Sequence, residues 1–316
     1  MTGSASIRRT GSQRTVSRGT GSAAAPWLLL SPFLIIFTLF TAYPLVQSLV
    51  LSLRQTFGPG TSRYVGLANY EFIASDPLFW KAVYNTTIYT LGSVIIQLPL
   101  ALGLAMLVNH PRVRGRAFFR LCLFAPSLVG VVFVAMIFAI MFDKRTGLVN
   151  VSLFHATSVL PEAMQWDLNF PWLQNHIMPA LILASLWMWV GFNMIYFLAA
   201  LQNVPQELSE AATVDGAGAW RRFVAVTIPA IRPIAGFVVL LSVIGSFQLF
   251  ELPWILLNNT GGPDNRGLTI MGYLYQTGFE SGDLGYASAI GWVLAAILIV
   301  CAGLQRASAR GEEGVA

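Results

Sequence analysis

The sequence predicts an all-α integral membrane fold: six transmembrane helices and a small helix-turn-helix on the cytoplasmic side. Three features predict it, namely a scarcity of charge, six long apolar runs, and the placement of the arginines. Hydrophobic residues make up 55% of the 316 residues and charged residues only 10%, with a mean hydropathy of +0.65. A soluble domain carries about 25% charged residues, so a chain with this few cannot cover a water-facing surface. The lipid bilayer is its solvent.

The apolar runs are Trp27–Leu53, Ala82–Val108, Ala117–Phe142, Ile177–Leu201, Pro233–Leu257 and Leu284–Leu304. Each supplies the roughly 20 residues that cross about 30 Å of hydrocarbon at 1.5 Å per residue. Every backbone group in lipid needs an internal partner, so the runs are expected to be helices. Pro32, Pro44, Pro99 and Pro126 would kink them. The first run is too long for a signal-peptide core and no small-x-small cleavage site follows, so it reads as an uncleaved anchor. It is preceded by a Gly/Ser/Thr/Ala-rich basic tail over 1–26, and the six-helix transmembrane body over 27–305 is followed by a second tail over 306–316.

Orientation follows from the basic residues. With a cytoplasmic amino terminus, the inner segments hold Arg8, Arg9, Arg14, Arg18, Arg112, Arg114, Arg116, Arg120, Arg221, Arg222, Arg232, Arg306 and Arg310, which is 13 of the 19. The positive-inside rule then places both termini in the cytoplasm of a multi-pass inner-membrane protein. The scattering of these residues, with a net charge of +5, argues for membrane orientation and against nucleic-acid binding. Cys122 and Cys301 sit in apolar runs, so no disulfide framework is indicated. Of the outer loops, 143–176 carries Trp166, Pro171 and Trp172 and suggests a compact cap. The other, 258–283, holds dense turn chemistry from Asn258 to Asn265.

The cytoplasmic loop 203–233 has its own organisation. Pro205 suits the first position of a short helix, Gln206 to Thr213 are good helix residues, and Glu207 stands near the positive end of the dipole. Asp215-Gly216 supplies a turn, and Ala219 to Val226 form a second helix that Pro229 is expected to stop. Glu210-Ala211-Ala212, Gly216, Val226, Ile228 and Pro229 together resemble the Glu-Ala-Ala motif of binding-protein-dependent ABC importer permeases. That pattern has Ile and Leu where Val226 and Ile228 stand here, swaps that keep apolar bulk. The resemblance implies a type I ABC importer permease fold in which Glu210, Ala211, Ala212, Asp215, Gly216 and Pro229 belong to an element that docks on an ATPase subunit. Two alanines let that helix approach a partner groove, and Glu210 offers it a carboxylate.

Further segments resemble the sugar permeases of the maltose and glycerol-phosphate importer group, first-permease type: Gly66-Leu67-Ala68-Asn69-Tyr70, Asp76-Pro77-Leu78-Phe79-Trp80, Asn85-Thr86, Thr260-Gly261-Gly262-Pro263 and Asp283-Leu284-Gly285-Tyr286-Ala287-Ser288-Ala289. The implied partners are a second permease, two ATP-binding subunits and an extracytoplasmic solute-binding protein. Uptake of a glycerol phosphate or polyol is the neighbouring alternative, and an ion-driven secondary carrier is the alternative of a different class.

Sugars are held by aromatic faces and by amides or carboxylates, and polar groups inside a bilayer are costly, which makes them functional suspects. In the fifth span Phe247, Gln248 and Glu251 meet that description; Gln248 and Glu251, three apart, fall on one face if the helix is continuous. In the fourth span Met188, Trp189, Phe192 and Asn193 do. Aromatic packing is the competing reading for each ring taken singly.

No Gly-x4-Gly-Lys-Ser/Thr occurs, and Lys81 and Lys144 are the only lysines. The chain carries no phosphate loop of that type, so ATP and Mg²⁺ are expected on partner subunits. His110, His155 and His176 lack metal-ligand spacing, and there is no Gly-x-Ser-x-Gly elbow. A transport subunit with no catalytic or metal residues is the expectation.

Overall fold

The computed structural model describes residues 25–56, 60–161 and 164–313. The basic tail over 1–24 lies outside the described residues, as does 314–316. The chain divides into two compact units, 1–48 and 49–316. In the first, α1 (Ala25–Phe37) passes through a π turn at Thr38–Ala42 into α2 (Tyr43–Ser52). The turn lies just before Pro44, and Tyr43 N–H bonds the Thr38 carbonyl five residues back. A π turn takes in an extra residue where the proline has no N–H to give.

The second unit opens with a short antiparallel hairpin, β1 (Arg54–Thr56) on β2 (Ser62–Tyr64), with Gln55 opposite Arg63. This is the one departure from an all-α architecture among the described residues. α3 (Ala68–Ser75) follows, then α4 (Pro77–Asn109), 33 residues and unbroken at Pro99. Asp76 caps α4, its carboxylate accepting from Leu78 N at 2.9 Å, with Pro77 at the first helical position, where a missing donor costs nothing.

The third apolar run, expected as one helix over Ala117–Phe142, is broken. α5 (Arg116–Phe124) ends in a 3₁₀ turn at Ala125–Leu128, and α6 (Val131–Met141) leaves it at 95°. Pro126 and the extended Gly130 (φ −61°, ψ 139°) interrupt the hydrogen-bond ladder. The segment that follows folds α7 (Leu148–Thr157) and α8 (Trp172–Asn175) into an aromatic cluster. Asn150, 1% exposed, accepts from the indoles of Trp166 and Trp172 at 3.2 and 2.9 Å.

α9 (Ile177–Gln202) is the most deeply packed spanning helix, running against α4 along its length. α5 backs onto it at Gly191, where a Cβ would come within 1.8 Å of the Leu123 carbonyl oxygen. α10 (Gln206–Val214), preceded by Pro205 as its cap residue, is followed by α11 (Ala219–Arg222). Pro229 does not stop the second helix. A π turn at Phe223–Thr227, with Ile228 N–H on the Phe223 carbonyl, absorbs it as the turn before Pro44 does, and the chain continues into α12 (Ile228–Phe247).

The fifth run is broken as well: α12 ends at Phe247 and α13 (Glu251–Leu256) begins after Phe250 (φ −135°, ψ −62°). Pro253 cannot donate to the Leu249 carbonyl, and the Thr269 hydroxyl donates to that oxygen instead at 2.8 Å. The 258–283 segment contains the expected turns, with Asn258, Asn259, Asp264 and Asn265 all left-handed. It also contains α14 (Ile270–Tyr275), which runs into a π turn at Gln276–Glu280. α15 (Leu284–Glu313) closes the fold and extends helically through 306–313. Five helices are long and apolar enough to cross a membrane, and the α5–α6 pair makes a sixth span when counted as one.

Candidate functional site

A cavity of about 570 Å³ opens where the two broken spans meet α4 and α9, within the roughly 300–1,000 Å³ typical of small-molecule sites. Its wall includes Val131, the first residue of α6, and Gln248, Leu249, Phe250 and Glu251 across the α12–α13 break. Met188, Trp189, Phe192 and Asn193 of α9 and Tyr89, Ser93 and Gln97 of α4 complete it. Of the seven residues singled out in the two spans, six border this one space. Phe247 does not: its ring, 6% exposed, is buried with Phe79, Ile270, Tyr286 and Ile290. Gln248 and Glu251 do not share a continuous helical face, because the helix ends between them; both reach the cavity through the break instead.

Four of the polar side chains around it are free of partners among the described residues. No side-chain hydrogen bond among the described residues uses Gln97, Asn193, Gln248 or Glu251, although Gln97 and Asn193 are only 6% and 7% exposed. Buried amides are nearly always satisfied, so amides left free around a cavity are groups arranged to meet a ligand. The aromatic component is Trp189, 37% exposed, edge-on to Phe192 at 5.7 Å, together with Phe250. Among the cavity-lining residues Glu251 is the sole ionisable carboxylate, and no Lys or Arg joins it. No three His, Cys, Asp or Glu side chains among the described residues are grouped to hold a metal ion.

Sequence reasoning missed the α4 contribution. Tyr89, Ser93 and Gln97 recur every four residues and so stand on one helix face. That spacing was the available signal. It also missed Phe250, which only the helix break turns inward.

The segments resembling sugar permeases meet outside the cavity and hold it in place. Asp76 accepts from the hydroxyls of Tyr273 at 2.5 Å and Tyr286 at 2.6 Å. Burial would raise its carboxyl, but these two bonds and the Leu78 and Phe79 amides outweigh that and hold it below the ordinary carboxylate value. Burial and the Asp76 charge push the Tyr273 hydroxyl up to about 12. Asn85 donates to the Asn265 and Leu268 carbonyls at 2.8 and 2.9 Å, and the Thr86 hydroxyl accepts from Ile270 N at 3.0 Å. Asn69 donates to the Ser52 and Arg54 carbonyls at 2.8 and 2.9 Å. The Asp76, Asn85 and Thr86 bonds tie the start of α4 to α14, α15 and the turn before α14, and the Asn69 bonds tie α3 to the end of α2 and to β1.

At the other end, α10 closes with a Schellman turn: Gly216 (φ +78°) N–H bonds the Thr213 carbonyl and Ala217 N–H bonds the Ala212 carbonyl. Asp215 is the C-cap. Glu210 is exposed on α10 beside Ala211 and accepts from Gln206 at 2.8 Å. The Arg222 guanidinium donates to the Thr213 hydroxyl at 2.6 Å, tying α10 to α11.

Comparison with known proteins matches residues 97–311 to the family of binding-protein-dependent transport system inner membrane components. The chain is 40% identical over 275 residues to the arabinooligosaccharides transport system permease protein AraP of Halalkalibacterium halodurans, covering 87% of this chain and 84% of that protein. It is 35% identical to the lactose transport system permease protein LacF of Rhizobium radiobacter, over 90% and 93% of the two chains. It is 34% identical to the diacetylchitobiose uptake system permease protein NgcF of Streptomyces coelicolor, over 86% and 78%. The fold superposes on a chain of a bacterial alginate ABC transporter in complex with a pentasaccharide-bound periplasmic protein with a TM-score of 0.75, at 22% identity over 89% and 92% of the chains. The chain is an integral, multi-pass membrane protein and belongs to the family of binding-protein-dependent transport system inner membrane components.

Proposed function

We propose that this chain is the permease subunit of an ATP-driven, binding-protein-dependent sugar importer, forming the translocation pathway with a second permease. One observation carries the reading: unpartnered amides, a carboxylate and aromatic faces surround a cavity placed where two spans break. Amides and carboxylates meet hydroxyls and rings meet C–H faces, which is the chemistry of a sugar site. The relatives named for arabinooligosaccharide, lactose and diacetylchitobiose transport support that substrate class.

In this reading Met188, Trp189, Phe192, Asn193, Gln248 and Glu251 contact the sugar, joined by Tyr89 and Gln97, while Phe247 supports the wall. α10, with Glu210, Ala211 and Ala212 ahead of the Gly216 turn, docks on one of two ATPase subunits, which hold ATP and Mg²⁺. An extracytoplasmic binding protein delivers the sugar to the opposite face. Both termini are cytoplasmic, as the arginine distribution favours.

The test is reconstitution of the full transporter in liposomes. ATP-dependent uptake of a sugar delivered by its binding protein is expected. Sugar movement by this chain alone, without ATP, would make it a carrier of another class, and uptake of glycerol phosphate but no sugar would replace the substrate. Unchanged uptake at limiting sugar in Glu251→Ala would remove Glu251 from the site.

A further inference from the structure

A connected group of four aromatic rings extends from the cavity across α13, α14 and the π turn after it. Phe250 lines the cavity. Its ring lies 5.5 Å from Trp254 and 5.0 Å from Tyr275, Trp254 and Tyr275 are 5.2 Å apart, and Tyr275 is 5.2 Å from Phe279. Phe279 ends the run at 69% exposure. The rings are not a closed core. Phe250, Trp254 and Tyr275 are only half-buried, whereas core rings such as Phe79 and Phe142 are 1% and 2% exposed. Trp254 stands three residues after Glu251, on the same face of α13, so the face that presents the cavity carboxylate continues outward as aromatic surface.

Two local features set this arrangement. The α12–α13 break turns Phe250 out of register with α12, and the π turn at Gln276–Glu280 carries Phe279 onward from Tyr275. Phe250 with Trp254 and Tyr275 with Phe279 are stacked pairs, so the cluster offers its remaining faces and edges as an apolar platform. The face of a pyranose or furanose ring is a patch of C–H groups, while its hydroxyls point sideways to water or amides. No Lys or Arg is among the residues that line the cavity into which the cluster leads, and Glu251 is among them. That charge disfavours acidic sugars and suits neutral rings.

We infer that Phe250, Trp254, Tyr275 and Phe279 form an entry track for neutral oligosaccharides, along which successive sugar rings stack between the exposed Phe279 end and the cavity. The inference rests on the sugar-importer reading above and adds to it a second binding region and a substrate class.

The assay is uptake by proteoliposomes holding the whole transporter, with binding protein outside and ATP within. Radiolabelled lactose, diacetylchitobiose and arabinotriose are offered separately as probes. Trp254→Leu and Tyr275→Leu keep apolar bulk and remove the ring, and Trp254→Phe restores a ring. Each Leu variant is expected to lower initial uptake about tenfold, equivalent to about 1.4 kcal/mol, with ATP hydrolysis stimulated by loaded binding protein held within about twofold. Trp254→Phe is expected to recover most of the uptake. Leu variants that transport at the unsubstituted rate, or a Phe variant as impaired as the Leu variant, overturn the track. Loss of the second permease during purification of the Leu variants also overturns it, assigning the face to subunit packing. If the unsubstituted transporter moves none of the three sugars, it is the sugar reading that fails; if it moves one and the variants are unaffected, only the track does.

Discussion

Removing the charge on Asp76 is expected to loosen the outer end of the fold without touching the cavity. The carboxylate takes hydroxyl bonds from Tyr273 at 2.5 Å and Tyr286 at 2.6 Å, and an amide bond from Leu78 at 2.9 Å. Asp76 and Tyr286 are each 5% exposed. A hydrogen bond to a charged group contributes about 1.5–3 kcal/mol. In Asp76→Asn one oxygen remains, able to keep the Leu78 cap, while the amide nitrogen faces hydroxyls that had been donating. The expected loss is that of two charge-assisted bonds, about 3–6 kcal/mol as an upper range. Tyr273→Phe removes one bond and is expected to cost about half as much. The assay is thermal unfolding of the purified transporter in detergent, followed by loss of the folded peak in size-exclusion chromatography, with Asp76→Asn, Tyr273→Phe and the double variant compared in a cycle. The two substitutions share a bond, so the double variant should lose less than the sum. Strict additivity, or an Asp76→Asn variant as stable as the unsubstituted chain, would refute the clamp.

The same clamp predicts two pH limits. The depressed Asp76 carboxyl adds stability at neutral pH that disappears as pH falls from its unfolded value of 3.8 through its lower folded one. Tyr273, raised from 10.0 to about 12, adds stability that is intact below pH 10 and lost as pH climbs toward 12; pH-dependent unfolding of Tyr273→Phe should show a weaker alkaline limb, the remainder coming from Tyr286, whose hydroxyl bonds the same carboxylate. Gly191→Ala places a methyl within 1.8 Å of the Leu123 carbonyl oxygen, so α5 must leave α9 at a cost of about 3 kcal/mol or more, read as reduced yield and lower unfolding temperature. Thr269→Val leaves the Leu249 carbonyl and the α14 cap without the hydroxyl, which should cost about 2–4 kcal/mol and weaken sugar uptake through movement of the α12–α13 break. Glu210→Ala should leave the folded transporter intact, since the side chain is exposed and bonds only Gln206. ATP-driven uptake should fall with it, and unchanged uptake would remove Glu210 from the coupling surface.

Much of this fold was legible because lipid leaves the backbone few choices. The long runs ending at Val108, Leu201 and Leu304 became helices where apolar length predicted them. The turn at Asp215-Gly216 formed because glycine alone accepts φ near +78° without strain. What stayed hidden were the interruptions. Pro126 looked like the other helix prolines, yet the chain bends there because Gly130 adds an extended residue four positions on. Pro229 and Pro44 looked like stops or kinks and are absorbed by π turns, a device that leaves no compositional mark. The break at Gln248–Phe250 depends on Thr269, twenty residues away, receiving the Leu249 carbonyl. Phe247, singled out as an aromatic of the fifth span, is buried beside α14 and α15, while Phe250, past the end of α12, lines the cavity.

The π turn beside Pro229 has a mechanical consequence. Because the chain does not stop there, Ala219–Phe247 is a single 29-residue rod, with the α10 hairpin fastened at one end through Arg222 and Thr213 and Gln248 at the other. The α12 portion, 20 residues, is about 30 Å long. A tilt of about 10° at its foot sweeps the far tip through about 5 Å, roughly one helical turn. A proline that ended the helix would have broken the connection; the π turn keeps the helix continuous from Ala219 to Phe247, so in the proposed importer a displacement of the hairpin would be carried along the arm to the cavity wall.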